Sequence, residues 1–119
     1  MTIKNSKLSN AFKLSSKITL YIPATIGVNK EIDNSEYVDK AASLFSSCFG
    51  GSTSTPAIGY WLSPVTGLVK EKTALVFAYA SDQDLQTNID KVVEFSENLK
   101  EELSQEAIAL EINGEMYFI

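Results

Sequence analysis

Two side-chain types are missing from this chain altogether. It has no histidine, and all ten of its basic residues are lysines, so it has no arginine either. Without His the commonest general base and the commonest metal ligand are gone, which excludes imidazole-based catalytic triads and mixed His/Cys zinc sites. Without Arg there is no planar guanidinium to grip a phosphate or carboxylate through two parallel hydrogen bonds. The single cysteine, Cys48, cannot close an internal disulfide, and its apolar, helix-spaced neighbours make it a buried structural thiol in a reduced, cytoplasmic setting. Long hydrophobic runs are lacking too: none approaches the ~20 residues of a membrane span. The apolar run from Ile18 to Val28 is interrupted by Pro23 and alternates as a strand does, which sets it apart from a signal peptide. No catalytic residue, metal ligand or cofactor site is expected from these residue types.

What the chain does contain is enough apolar material for one core. Its 119 residues are 45% hydrophobic, which suits one domain and is too short for two. Charge is unevenly placed. Lys4, Lys7, Lys13, Lys17 and Lys30 all precede the first acid, Glu31, so the leading segment carries +5 and the remainder −10. An acidic body without Arg is poorly suited to nucleic acid or an anionic membrane, where affinity comes largely from neutralising phosphates. Residues 1–16, rich in Ser, Asn and Lys with scattered Leu8, Phe12 and Leu14, read as a basic N-terminal arm, and residues 17–119 as the single α+β domain.

The easiest stretch to read is Ala57–Ala80. Two β-branched and aromatic runs flank Ser63-Pro64-Val65-Thr66-Gly67, a turn in which Pro fixes one φ and Gly is free to take φ > 0, so a central hairpin is expected. Upstream, Lys17–Pro23 alternates as a first strand. Asp33-Asn34-Ser35-Glu36 has the form of a capping box. It opens a helix with apolar positions at Val38, Ala41, Ala42, Phe45, Cys48 and Phe49, closed by Gly50-Gly51. Downstream, Ser81-Asp82-Gln83-Asp84 opens a second helix, roughly 82–103, whose stripe of Leu85, Ile89, Val92, Val93, Ser96, Leu99 and Leu103 faces the core. Residues 107–112 form a last strand, and Asn113-Gly114 returns the chain through a short hairpin. The order strand, helix, strand, strand, helix, strand is the ferredoxin-like split βαββαβ arrangement: an antiparallel sheet with two helices on one face.

Two surfaces are candidates for function. With Ile18, Leu20, Ile22, Leu75, Phe77 and Tyr79 assigned to the helix side, the opposite face shows Thr19, Tyr21, Trp61, Ala74, Val76 and Ala78, an uncharged and partly aromatic set. Covering a few hundred Å² of it at ~25 cal/mol per Å² contributes several kcal/mol. A second copy in a homodimer is the leading cover, followed by the chain's own arm and a separate partner. The second surface is an acidic ladder of Asp90, Glu94, Glu97 and Glu101 on the long helix, spaced to dock a basic protein surface. Glu71, between Lys70 and Lys72, reads as a member of a cross-strand ion pair.

Phe49-Gly50-Gly51, Pro56–Trp61, Gly67–Glu71 and Gln105–Ile112 together resemble small uncharacterised bacterial proteins of a domain-of-unknown-function family. That family has ferredoxin-like topology, with versions common in Firmicutes and mobile elements. The resemblance spans Lys17–Ile119 and implies the fold but no catalytic residue; through its mobile-element members it implies a host defence or regulatory protein as partner. The leading expectation is a non-enzymatic, acidic, homodimeric interaction module of the cytoplasm. The competing one is a small-molecule binder or enzyme of the dimeric α+β barrel type, with Tyr21, Tyr60, Trp61 and Tyr79 lining an aromatic pocket.

Overall fold

Turn chemistry sets the hairpin read from the sequence. Thr53–Ser63 (β4) and Gly67–Ala80 (β5) pair along their full common length from Thr53↔Phe77 to Ser63↔Gly67. In the turn, Ser63 Oγ accepts from the N–H groups of Val65 and Thr66, and Gly67 takes φ +82°. This is a computed structural model, and it describes residues 3–119. Around the hairpin lie Ser16–Pro23 (β1), the two-residue strands Thr25–Ile26 (β2) and Lys30–Glu31 (β3), and the helix Ser35–Phe49 (α1). They are completed by the helix Asp82–Glu102 (α2) and the strands Ala109–Ile112 (β6) and Glu115–Phe118 (β7).

The main sheet runs β4-β5-β1-β6-β7, every neighbour antiparallel, with both helices on one face. This is the ferredoxin-like order with one added edge strand. The hairpin lies at one side of the sheet, not at its centre, because β1 inserts between β5 and β6.

The helix boundaries follow the predicted caps, with one difference. Ser81 caps α2, its Oγ accepting from Asp84 N–H at 3.1 Å. Gly50 closes α1 in the left-handed region at φ +94°. At the start of α1, however, Asn34 is the boundary residue and its side chain turns away to donate to the Ile22 and Pro23 carbonyls. Asp33 accepts from the backbone and hydroxyl of Ser35, which holds its carboxyl below its usual range. Glu36 pairs forward with Lys40 at 3.2 Å and does not close a capping box.

The core joins Phe45, Cys48 and Phe49 of α1 to Leu85, Val92 and Leu99 of α2 over Ile18, Leu20, Ile22 and Leu110. Phe45 and Phe49 meet edge to face at 5.7 Å. Buried Asn88 ties the helices together, donating to the Cys48 carbonyl of α1 and the Asp84 carbonyl of its own helix. The β5 residues completing this core are Ala74, Val76, Ala78 and Ala80, all buried.

That last observation corrects the predicted face of β5. Ile18 stands opposite Ala78, Leu20 opposite Val76 and Ile22 opposite Ala74. Residues directly opposite in an antiparallel pair share a face, so Ala74, Val76 and Ala78 belong to the helix side. Leu75, Phe77 and Tyr79 take the other side. The physical reason is volume: Phe45 and Phe49 already fill the layer between α1 and the sheet, leaving β5 room there only for small side chains. A one-residue change of face moves every side chain of the strand.

Candidate functional site

The helix-free face is therefore built from different residues than predicted. Thr19 and Tyr21 of β1 are on it as expected, with Phe77 standing opposite Thr19 and Leu75 opposite Tyr21. Thr19 itself is covered by its neighbours, at 3% exposure, while Tyr21 is half-buried. The face is not free of charge. Glu111 stands opposite Thr19 on the other side. Lys17 lays its ammonium 4.7 Å from the Phe77 ring centre and 5.6 Å from that of Tyr79. Those two rings meet edge to face at 6.4 Å. A lysine stem over two rings shields some of the apolar surface from water by itself.

Beyond Thr73 the hairpin leaves the sheet. β1 ends at Pro23↔Thr73, so Gly67–Lys72 pairs only with β4. A two-stranded ribbon is marginal alone, yet this one carries exposed apolar side chains on both surfaces. Ile58, Tyr60, Leu62 and Leu68 lie on the helix side and Trp61 on the open side, with Leu62 76% and Leu68 70% exposed.

On the open side of this ribbon Glu71 stands opposite Gly59, and Trp61 sits diagonally across. Glycine leaves the space above Glu71 clear, and the indole Nε1 donates to the Glu71 carboxylate at 3.0 Å. The cross-strand ion pair expected of Glu71 does not form, because the register puts no lysine beside it on that face. An indole fixed against a carboxylate offers both elements that attract an organic cation: a ring face and a negative charge.

Next to Glu71 a cleft of about 270 Å³ opens between the rim of β5, Val69–Lys72, and the loop carrying β2 and β3. The loop is pinned from the far end of the chain. Gln105 Nε2 donates to the carbonyls of Thr25 (3.0 Å), Gly27 (3.1 Å) and Leu103 (3.1 Å), and Gly27 N–H donates to Leu103 at 2.7 Å. Tyr21, Tyr60, Trp61 and Tyr79, read as lining one aromatic pocket, are not brought together: Tyr21 stands opposite Leu75 and Trp61 opposite Val69, six residues apart along β5. Tyr60 faces the helix side, and Tyr79 lies far along β5.

The acidic ladder is placed as predicted. Asp90, Glu94, Glu97 and Glu101 are all exposed along α2, and among the described residues none has a basic partner within 4.0 Å. The arm contains a short helical turn at Leu8–Asn10, started by Asn5 Oδ1 accepting from the N–H groups of Lys7 and Leu8. Phe12 and Leu14 border an open groove of about 440 Å³ whose other wall includes Phe49, Phe77 and Tyr79. Phe12 nevertheless remains 88% exposed. No helix among the described residues is long and apolar enough to cross a membrane.

No protein-family model and no curated protein matches this chain. Solved structures do. A phage SAM lyase in complex with S-methyl-5′-thioadenosine superposes with a TM-score of 0.65 at 16% identity, covering 91% of this chain and 93% of that one. A phage SAM lyase in the apo state gives 0.64 at 17% identity, covering 89% of each. At such identities the likeness is one of fold, and it extends over almost the whole length of both chains.

Proposed function

We propose that this chain binds S-adenosylmethionine and acts on it as a lyase, at the open side of the β4–β5 hairpin. The observation that carries the reading is the Trp61–Glu71 pair, a ring and a carboxylate joined at 3.0 Å beside an unobstructed glycine. The end-to-end likeness to a SAM lyase solved with S-methyl-5′-thioadenosine supports the same class of ligand. The sulfonium of S-adenosylmethionine is a permanent organic cation, which suits recognition by an aromatic face and a negative charge. S-Methyl-5′-thioadenosine is that molecule without its amino-acid arm. Its release breaks the bond from sulfur to the arm, the electron pair staying on sulfur as a neutral thioether, while the arm's own carboxylate oxygen forms the new bond to the carbon that sulfur leaves, closing a lactone with no proton to place.

The test is incubation of the purified chain with S-adenosylmethionine, reading S-methyl-5′-thioadenosine by chromatography and affinity by calorimetry. Trp61→Ala and Glu71→Gln are each expected to weaken S-adenosylmethionine about 5- to 30-fold, the equivalent of roughly 1–2 kcal/mol. Wild-type protein that neither binds S-adenosylmethionine nor releases the thioether refutes the reading.

Self-association is a second reading, favoured by a separate observation: the ribbon's exposed apolar side chains on both surfaces. A second copy is the cover we favour, since Lys70 and Lys72 on the same ribbon complement the acidic ladder on α2. Mass by light scattering tests it. Leu62→Ser with Leu68→Ser is expected to yield monomer, and a wild-type monomer at micromolar concentration removes the reading.

A further inference from the structure

The cleft beside Glu71 has a composition that the Trp61–Glu71 pair does not explain. Glu31 comes from the loop, and Lys70, Glu71 and Lys72 come from the rim of β5, so both charge signs line one small volume. None of these four is within 4.0 Å of an opposite charge; among the described residues the one ion pair is Lys40–Glu36 on α1. The cleft also borders bare backbone. Past Thr73, β5 has no strand on this side, so alternate N–H and C=O groups of Val69–Lys72 point toward the loop without ladder partners. Finally, the loop is held rigidly by the Gln105 bonds and by Ile32 N–H donating to Ala24 at 3.0 Å. Glu31 is thereby carried on a fixed support.

From this we infer that the cleft is a receptor for an α-amino-acid group. Lys72, seconded by Lys70, takes the α-carboxylate, and Glu31 takes the α-ammonium. The inference rests on the adenosyl-sulfonium reading and deepens it. With sulfur held at Trp61 and Glu71 on the open side, the amino-acid arm of the same ligand passes over the unpartnered β5 edge into the cleft, where Lys70 and Lys72 come from the helix side of the strand and Glu31 from the loop, and whose volume of about 270 Å³ accommodates a four-carbon arm. With Glu71 engaged by Trp61, the cleft offers Glu31 on the loop wall and Lys70 and Lys72 on the β5 wall, a pairing of signs that suits a zwitterion better than a ligand with one charge alone.

The experiment compares two ligands that differ in the arm. S-Adenosylmethionine has it, and S-methyl-5′-thioadenosine lacks it. Calorimetry is run on wild type, Glu31→Gln, Lys72→Met and the double variant; all the substituted side chains are exposed, so folding is not at stake. Expected is a loss of about tenfold or more in S-adenosylmethionine affinity for the double variant, the size of a lost charge-assisted contact, with S-methyl-5′-thioadenosine affinity unchanged. Unchanged S-adenosylmethionine affinity overturns the inference, and so does equal weakening of both ligands. A wild type that binds both ligands equally overturns it while leaving the adenosyl site standing. A wild type that binds neither removes the adenosyl reading, and the cleft is then judged by titrating L-methionine in an NMR experiment. Amide shifts confined to residues 29–32 and 69–72 support the receptor, and their absence overturns it.

Discussion

Val76 and Tyr79 are neighbours on β5 that the fold sends to opposite sides of the sheet, and truncating each in turn measures that division. Val76 is 0% exposed, opposite Leu20 in the layer beneath α1, whereas Tyr79 is 51% exposed on the helix-free face. Val76→Ala removes two buried carbons, worth about 0.8 kcal/mol each by transfer, and leaves a cavity that close-packed neighbours fill only in part. The sum is a loss of about 2–3 kcal/mol. At roughly 4–5 °C per kcal/mol for a chain of this size, Tm falls by about 8–15 °C. Tyr79→Ala removes the Lys17 contact and the edge-to-face meeting with Phe77, about 1 kcal/mol beyond the burial of the covered half of its ring. Urea denaturation followed by circular dichroism, with m held equal, gives both numbers. A cost under about 0.5 kcal/mol for Val76→Ala would mean that its methyls do not face the helices, and the face assignment of β5 would be refuted. Ala78→Leu sharpens the test: it overpacks the layer under Phe45 and is expected to cost about 1–3 kcal/mol.

Four further outcomes are expected. Reversing the ladder, Asp90, Glu94, Glu97 and Glu101 to Lys, should leave Tm within a few degrees, since all four are exposed and unpaired, while abolishing any capture of a basic partner; unchanged capture removes the docking role. Gln105→Ala leaves the Thr25 carbonyl without its donor and the Gly27 carbonyl with only the Thr25 hydroxyl. It should cost about 1–3 kcal/mol and speed amide exchange at Gly27, and unchanged exchange would show that the loop is held by other means. Asp33 should titrate by NMR below 3.8, because its carboxylate accepts from Ser35. A carboxyl whose folded pKa is depressed stabilises the fold above the ordinary carboxylate range, and that contribution is lost as pH falls through the depressed value, so Asp33→Asn should flatten stability across the acid window. Asn113→Ala should weaken the terminal hairpin, since Asn113 holds φ +52° and its Oδ1 accepts from Lys17 N–H at 2.8 Å; an unchanged urea midpoint would argue against that role.

Where a local rule has one physical answer, the chain was legible. Ser81 and Gly50 mark helix ends because a hydroxyl acceptor and a left-handed φ each satisfy a specific orphan group. Asn113-Gly114 turns because both residues tolerate positive φ. The face of β5 had no such rule, since Thr73–Ala80 is apolar at nearly every position and alternates in size, not polarity. Nothing within the strand says that Phe45 and Phe49, from another element, have already filled the layer. Glu71 was obscured in a similar way: its neighbours in sequence are lysines, but its neighbours in space are Gly59 and Trp61, set by the register of a strand ten residues away. The cleft was further still from view, because its loop is fixed by Gln105, some eighty residues along.

These gaps bear on function. Burying rings and exposing alanines is the arrangement that hydrophobicity alone favours, and it is the one the sequence suggested. The fold does the reverse on β5, keeping Phe77 and Tyr79 on the helix-free face under the stem of Lys17 and holding Trp61 against Glu71 on the same side. The volume of Phe45 and Phe49 accounts for the buried alanines and thereby turns the rings of β5 to the helix-free face. Packing does not account for Trp61, which stays 44% exposed while held against Glu71, and that end of the open side is where a ligand or partner should be sought.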